Sequence, residues 1–412
     1  MIKVATALRI VLGGIKILDS ETIKLTDALG RVLAEDIHSD SDIPGFDNSA
    51  MDGYVVKTVG LNGASKNNPK VLEIIDELKA GDIPKKILKN NQAIRIMTGA
   101  VMPKGADSVV MVEDTQREEK NKVKIFKETE PGENIRKAGE DIKKGELVIP
   151  CGTLLKSAHI GLLASLGKAK VKVTRKPKVA ILATGDEVVD VKEKLKPGKI
   201  RSSNTYALYA QILKSGGIPK NLGIAKDRPL ELEKKIKLGL DCDIILTSGG
   251  VSVGDYDLVK VILSKIGTNI KFWKIAMRPG KPLVFGTLSA KGGSASGGKG
   301  ILVFGLPGNP VSSMVSFEIF VRPAILKMLG QKNYERKEVE AVAEEDIKKK
   351  PGFRYFLRAN TSWKQGMYFT KTTGPQGSGI LKSMALANSL IILPEDKHFI
   401  KKGTRVRVRF LE

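Results

Sequence analysis

The sequence predicts a multidomain α/β protein: a central α/β domain with a mostly parallel sheet, a helical part, an inserted β-rich part and a C-terminal β part. Three observations predict it. The chain has 412 residues, room for two to four domains at about 150 residues each. Hydrophobic residues make up 42% and charged residues 28%, which supports packed cores and excludes wholesale disorder. The local pattern also changes along the chain, from helical spacing to short strands, then to alternating strands and helices, then to strands again.

The first forty residues read as helical. Ala5, Leu8, Val11, Leu12 and Ile15 recur at helical spacing, and Leu25, Leu29, Val32 and Leu33 repeat it. From Pro44 to about Ile149 short strands are expected, at Gly53–Val56, Ala93–Met97, Ser108–Val112 and Lys122–Phe126, divided by turn pairs such as Pro131-Gly132 and Lys144-Gly145. Helical spacing returns at Ser157–Leu166, and Lys172–Pro177 reads as a short basic hinge. Beyond it, Val179–Ala183, Ile244–Leu246 and Ile301–Leu306 have the unbroken hydrophobicity of strands buried on both faces. Helices are expected between them at Thr205–Lys214, Leu230–Leu238 and Leu258–Ile266, the grammar of a parallel sheet. After Gly330 strands return at Arg354–Asn360, Met367–Lys371, Leu390–Leu393 and Arg405–Phe410, as a small barrel or an open sheet.

Charge and composition narrow the function. Sixty-nine basic against 45 acidic residues give a net +24, a field that favours anionic ligands. The lysines are spread over all regions and aromatics are only 5%, whereas nucleic-acid platforms pair a basic stripe with stacking rings, so no nucleic acid is expected. Two cysteines, Cys151 and Cys242, and three histidines, His38, His159 and His398, are too few and too scattered for a disulfide framework, a zinc centre or a Ser-His triad. Arg9 and Lys16 interrupt the apolar start, and the longest charge-free stretch, Ile301–Phe317, contains Pro307, Gly308 and Pro310. A cytoplasmic protein with no secretory signal and no membrane partner is therefore expected.

Three of the α/β strands run into loops of unusual composition. Val179–Ala183 leads into Thr184-Gly185-Asp186-Glu187, Ile244–Thr247 into Ser248–Asp255, and Ile301–Leu306 into Pro307-Gly308-Asn309-Pro310-Val311-Ser312. Parallel strands end on one rim, where ligands bind, so all three loops should face a common cleft. Ser248, Gly249, Gly250, Ser252 and Gly254 make a small-residue loop suited to cradling phosphate at a helix start. Asn309 is expected as the cap of the next helix with Pro310 at its first position. A further anion feature is Trp273–Pro282, where Lys274, Arg278 and Lys281 lie beside two prolines and a glycine. Gly293–Gly300 imitates a P-loop, but Gly300 replaces the Ser or Thr that would hold Mg²⁺ and a strand follows instead of a helix. Asp186, Glu187, Asp227, Asp255 and Asp257 lie beside the cradles, and Asp52 and Thr98-Gly99 lie in the β-rich part. Hard oxygen ligands next to phosphate cradles suggest Mg²⁺ held by one or two carboxylates and the ligand's own phosphates.

These residues, taken in order, resemble a known family. Asn48–Tyr54, Met97–Ala100, Gly139-Glu140-Asp141, Thr184–Glu187, Ser248–Gly254, Pro279–Pro282 and Leu306–Ser312 are similar to the motifs of the molybdopterin molybdenumtransferases, which include the gephyrin E domain. The resemblance implies an elongated homodimer with an intersubunit active site. It implies a discontinuous helical dimerisation domain at 1–44 and 142–174, an inserted β-rich domain at 45–141, an α/β molybdopterin-binding domain at 175–330 and a C-terminal β-barrel domain at 331–412.

The activity it implies is insertion of molybdate into adenylylated molybdopterin with release of AMP, dependent on Mg²⁺. By the same resemblance, Ser248, Gly249, Gly250, Ser252 and Gly254 hold the pterin nucleotide's phosphates, and Lys274, Arg278, Pro307, Gly308 and Asn309 belong to the same binding region. Lys281, Pro282 and Ser312 hold the oxoanion, assisted by Arg358 and Ser378. Asp227 and Asp257 are the metal ligands, Glu187 is a catalytic carboxylate, and Asp52 and Thr98 reach the cleft of the other subunit. Arg278 stands where the family commonly has lysine, which keeps the charge but replaces a point charge with a planar fork. A molybdopterin adenylyltransferase and molybdoenzyme apoproteins are the partners the resemblance suggests.

Three alternatives stay open at this level. A molybdopterin adenylyltransferase carries a similar Ser-Gly-Gly loop, but leaves residues 1–170 and 331–412 without a role. A tungstate-inserting homologue would need nearly the same site, because the two oxoanions have almost equal size and charge. A non-catalytic scaffold is the reading that the +24 charge alone would allow.

Overall fold

The computed structural model describes residues 1–250, 258–289 and 300–411. It divides into two compact units, Met1–Glu35 with Gly152–Ile160 and Ala169–Glu412, and Asp36–Cys151 with Gly161–Lys168. Among the described residues no helix is long and apolar enough to cross a membrane.

The smaller unit is built on a six-stranded sheet in the spatial order Ser108–Met111, Gly53–Val56, Gln92–Ile96, Lys70–Leu78, Lys122–Ile125, Thr115–Glu119. Only Lys70–Leu78 and Gln92–Ile96 pair in parallel; the other neighbours are antiparallel. Successive strand residues face opposite sides, and both sides are covered here. Tyr54 and Val56 pack with Leu61, Leu72 and Val123, whereas Val55 between them packs with Leu88, Ile94 and Val109.

The larger unit opens with a helix at Val4–Gly13, whose Val4, Ala7, Val11 and Leu12 are buried. The expected helical continuation at Leu25–Leu33 is not observed. Ser20–Lys24 is instead a strand paired antiparallel with Lys170–Thr174, Leu25–Asp27 is a single 3₁₀ turn, and Val32 and Leu33 bridge to Leu154 and Val173. Gly30 at φ +73° breaks any helix at that point, and Leu29 is 64% exposed while Val32 and Leu33 are buried. Short extended segments bury Val32 and Leu33, whereas Leu29, which a helix of that spacing would have buried, stays outside. The basic hinge expected at Lys172–Pro177 is likewise half strand, because Lys172, Val173 and Thr174 complete that pairing.

The centre is a six-stranded mixed sheet with crossover helices. In chain order its elements are β1 (Lys178–Thr184), α1 (Ser203–Lys214), β2 (Ile218–Ala225), α2 (Pro229–Lys237), β3 (Ile244–Ser248), α3 (Leu258–Lys265), β4 (Thr268–Lys274), β5 (Pro282–Leu288) and β6 (Ile301–Leu306), followed by α4 (Pro310–Ser316). The spatial order is β2-β1-β3-β6-β5-β4, with β2, β1, β3 and β6 parallel neighbours and β5 running opposite, antiparallel to both β6 and β4. Alternate residues divide between two cores: Val179, Ile181, Ile244 and Leu246 pack on one face, Ala180, Leu182 and Ile245 on the other. Burial on both sides is why these strands read as continuous apolar runs.

The C-terminal strands close on themselves. Arg354–Lys364, Met367–Thr372, Glu338–Ala343, Arg405–Phe410 and Ser389–Leu393 pair in that order, and Ser389–Leu393 returns to pair with Arg354–Lys364. Closure leaves a five-stranded barrel with no open edge among these strands. The sequence left barrel and open sheet undecided on its own, because closure depends on pairing between residues far apart in the chain.

Candidate functional site

The site grows from the aligned ends of parallel strands. Ala183 in β1 lies opposite Ser248 in β3, and Ser248 lies opposite Leu306 in β6. The three loops that leave these strands therefore start at one level on one rim. They border a cavity of about 900 Å³, lined by Thr184 and Glu187 after β1, Asp227 after β2, Ser248, Gly249 and Gly250 after β3, and Gly308, Asn309 and Pro310 after β6. The expectation that three strand-end loops share a cleft is met in this geometry.

The β3 loop is packed tightly onto the end of β1. Gly249 and Gly250 hold φ +98° and +65°, and a Cβ on Gly249 would overlap the Thr184 carbonyl oxygen. The N–H of Gly249 donates to the Leu306 carbonyl at 3.2 Å, so that amide joins two strand ends instead of facing the cavity. Gly308 continues the contact, because a Cβ there would stand 3.5 Å from the Gly249 Cα. Ser252, Gly254, Asp255 and Asp257 lie outside the described residues, as does nearly all of the P-loop imitation at 293–300.

Glu187 folds back over the loop that carries it. A Cβ on Gly185, whose φ is +137°, would come within 2.7 Å of Glu187 Oε1, so glycine makes room for the carboxylate. The neighbouring Asp186 carbonyl accepts a hydrogen bond from Lys199 Nζ at 2.9 Å, which ties the loop to the short strand Ile200–Arg201. Glu187 and Asp227 are both exposed and both line the cavity.

Helix α4 starts at Pro310, with Asn309 at its cap position, as the sequence suggested, but the Asn309 side chain makes no capping hydrogen bond. The first turn is closed from elsewhere: the Val311 N–H donates to the Ser378 carbonyl at 3.1 Å. Ser312 follows in the same turn and is buried. The Ser378 segment is set by Arg358, which is fully buried in the barrel wall. Its Nε donates to Ser383 Oγ at 3.0 Å and its Nη2 to the carbonyls of Pro375 and Gly377 at 3.3 and 3.0 Å. Burial pulls the Arg358 pKa down to about 10, because no carboxylate offsets the lost hydration. Arg358 thus reaches the cavity through the backbone it holds, and Gly379 at the end of that segment lines the wall.

The basic stretch reaches the same rim further along the sheet, because Val284 pairs with Gly305 and Lys274 with Pro282, but its residues are not among those lining the cavity. The Arg278 guanidinium lies 4.9 Å from the centre of the Phe353 ring and Lys281 Nζ lies 5.9 Å from it, within reach of cation–π attraction. Lys281 and Pro282 are half-buried, and the Lys281 carbonyl accepts from the Ile275 N–H at 2.9 Å. The Lys274 carbonyl accepts from the Ile2 N–H at 3.3 Å. Among the described residues lining the cavity, the cation is instead Arg201, whose Nε donates to the Val191 carbonyl at 3.1 Å. Arg201, Ser202, Ser203 and Asn204 are wall residues that the strand-end motifs did not reveal. The available signal was position: a crossover helix that starts after a parallel strand's rim points its first turn at the same cleft.

In the smaller unit, Asp52 and Thr98 form a pair of their own. Asp52 Oδ1 accepts from the Thr98 N–H and from Thr98 Oγ1, both at 2.7 Å. The backbone amide first, and the hydroxyl second, hold the Asp52 pKa below the usual aspartate value. The carboxylate is exposed and stays ionised at neutral pH.

Relatives carry the same arrangement of parts. Residues 2–167 match the family described as the MoeA N-terminal region (domain I and II), residues 180–327 the probable molybdopterin binding domain, and residues 340–411 the MoeA C-terminal region (domain IV). The chain is 39% identical over 397 residues to the molybdopterin molybdenumtransferase of Bacillus subtilis, covering 95% of this chain and 89% of that protein. It is 36% identical over 392 residues to the Haemophilus influenzae protein of the same name, covering 94% and 93%. The crystal structure of the molybdopterin biosynthesis moeA protein from Pyrococcus horikoshii OT3 superposes with a TM-score of 0.84 at 33% identity, over 100% of both chains. Full-length identity of this size, matched by the whole fold, places the chain in the molybdopterin molybdenumtransferase family.

Proposed function

We propose that this protein acts in molybdenum cofactor biosynthesis as a transferase that inserts molybdate into adenylylated molybdopterin and releases AMP, with Mg²⁺ present. The observation that carries the proposal is the cavity at the ends of β1, β3 and β6, large enough for a nucleotide and walled by serines, loop glycines and two carboxylates. Membership of the family, with relatives named for this activity, supports it.

The chain's own groups have distinct parts in this reading. The Ser248–Gly250 and Gly308–Pro310 loops bind and orient the pterin nucleotide. Lys281, Pro282 and Ser312, with Arg278 and Lys274 nearby, receive the oxoanion, where fixed positive charge offsets the dianion. Glu187 is placed to hold or move a proton at a reacting oxygen. Arg358 and Ser378 shape the wall, and Asp52 with Thr98 are assigned to the same reaction from a second copy of the chain in a homodimer.

Mg²⁺ suits the donors present. Glu187 and Asp227 offer hard carboxylate oxygens in a cavity whose described lining has no His or Cys, and among the described residues no cluster of three metal-binding side chains exists. Mg²⁺ is usually held by one or two carboxylates with substrate phosphates and water, so Asp227 would hold it, with Asp257 as the second ligand that the family resemblance implies. When bound it would supply charge neutralisation on the phosphate linkage. A cytoplasmic setting agrees with a chain that has only two cysteines, Cys151 and Cys242.

The test is reconstitution of purified protein with adenylylated molybdopterin, Mg²⁺ and molybdate, followed by AMP release and activation of an apo-molybdoenzyme. Both should depend on the oxoanion and the protein. Adenylyl transfer from ATP to free molybdopterin, with no AMP released from the adenylylated form, would point to the adenylyltransferase instead.

A further inference from the structure

One side chain in the cavity wall bonds to two of its loops at once. Asn204 lies in the first turn of α1 and lines the cavity. Its Nδ2 donates to Ser248 Oγ at 2.8 Å and to the Gly308 carbonyl oxygen at 2.8 Å. Its Oδ1 is enclosed and accepts no hydrogen bond among the described residues. A carbonyl can only accept, so the Gly308 contact fixes which end of the amide faces the loops.

The chemistry of the position is specific to asparagine. Two donors are needed on one short, flat group. Aspartate would present an acceptor to the Gly308 carbonyl, serine has a single donor, and leucine has the right bulk and no donor. The two loops have few other means of staying in register, the Gly249 N–H to Leu306 carbonyl bond being one of them. Ser248 ends β3 in its pairing with Leu306, and among the described residues no ladder pair reaches Gly308.

We propose that Asn204 is a positioning residue for ligand binding: by linking Ser248 to Gly308 it sets the spacing at which both loops meet a single phosphate-bearing ligand. The ligand half of this inference rests on the functional reading above, whereas the link itself is a property of the free protein. Asn204 touches no reacting atom in this account and acts through the two loops.

The experiment uses the full chain with Asn204→Leu and, should that variant fold poorly, Asn204→Ser, which keeps one donor. Hydrogen exchange in the ligand-free proteins is followed in peptides covering 244–250 and 304–310. Asn204→Leu should speed exchange of the loop amides about tenfold, with the strand amides of β3 and β6 unchanged, and Asn204→Ser should fall between. AMP, titrated by calorimetry, should bind about tenfold more weakly to Asn204→Leu. In the complete reaction KM for the adenylylated substrate should rise by a similar factor while kcat stays within about twofold. A role in stability alone would lower the active fraction and leave KM unmoved. Unchanged exchange overturns the link, and faster exchange with unchanged AMP affinity and KM overturns its role in binding. A wild-type chain that takes up no AMP counts against the functional reading, and the exchange measurement still decides the link.

Discussion

Thr184 Oγ1 stands 2.9 Å from the point that a Cβ on Gly250 would occupy. The end of β1 is therefore the floor on which the glycine loop of β3 rests. The glycines are there first because the loop lies against another strand's end, and the small cavity surface they create follows from that contact.

Alanine should separate the two glycines. At Gly249 the obstacle is the Thr184 backbone carbonyl, whereas at Gly250 it is Thr184 Oγ1 and Val259 Cγ2. Gly249→Ala should cost roughly 2–4 kcal/mol through overlap and a left-handed φ. Val259→Ala should recover part of the loss from Gly250→Ala and none of that from Gly249→Ala. Urea unfolding of the singles and doubles measures both.

Asp52 offers a pH prediction. Its folded pKa is lowered, so its contribution to stability is complete above the unfolded value near 3.8 and is lost as pH falls through the lower folded value. Thr98→Val removes the hydroxyl donor and keeps the amide, which is the larger cause. The Asp52 midpoint, followed by NMR, should move upward without reaching the ordinary aspartate range.

Glu187→Gln and Asp227→Asn should each reduce AMP release at least ~100-fold. Both side chains are exposed, so melting temperature should change by no more than about 2 °C. Chelation should abolish wild-type AMP release, and Asp227→Asn should need more added Mg²⁺ for whatever rate it retains.

Arg358→Met keeps the bulk of the side chain but leaves the Pro375 and Gly377 carbonyls and Ser383 Oγ without their guanidinium donor. A loss of about 2–4 kcal/mol is expected by chemical denaturation. Because the Gly377–Ser378 segment supports the start of α4, oxoanion-dependent AMP release should fall as well, even at temperatures where the variant is fully folded.

Much of this was legible in the chain. The unbroken apolar runs of β1, β3 and β6 are a local property, since a strand covered on both faces must be apolar at every position, and the loops that follow them could be read by adjacency. Leu25–Leu33 misled because apolar spacing alone settles neither whether each residue is buried, as exposed Leu29 shows, nor whether a helix or short extended pieces bury the others. Arg201 and Asn204 carried no motif. They became visible only when α1 was seen to begin at the rim.

The sequence alone determined that the apolar runs of β1, β3 and β6 are strands, which loops are small and polar, and, through seven ordered motifs, the family. Tertiary structure alone decided that five C-terminal strands close into a barrel, that Arg358 is buried behind the wall it supports, and that Arg278 and Lys281 gather at Phe353 while Arg201 stands in the cavity. The physical reason is range. Burial and turn chemistry act between neighbours and leave a local imprint, whereas closure, desolvation of a charge and the meeting of distant loops depend on pairs of residues whose spacing in the chain says nothing of their distance in space.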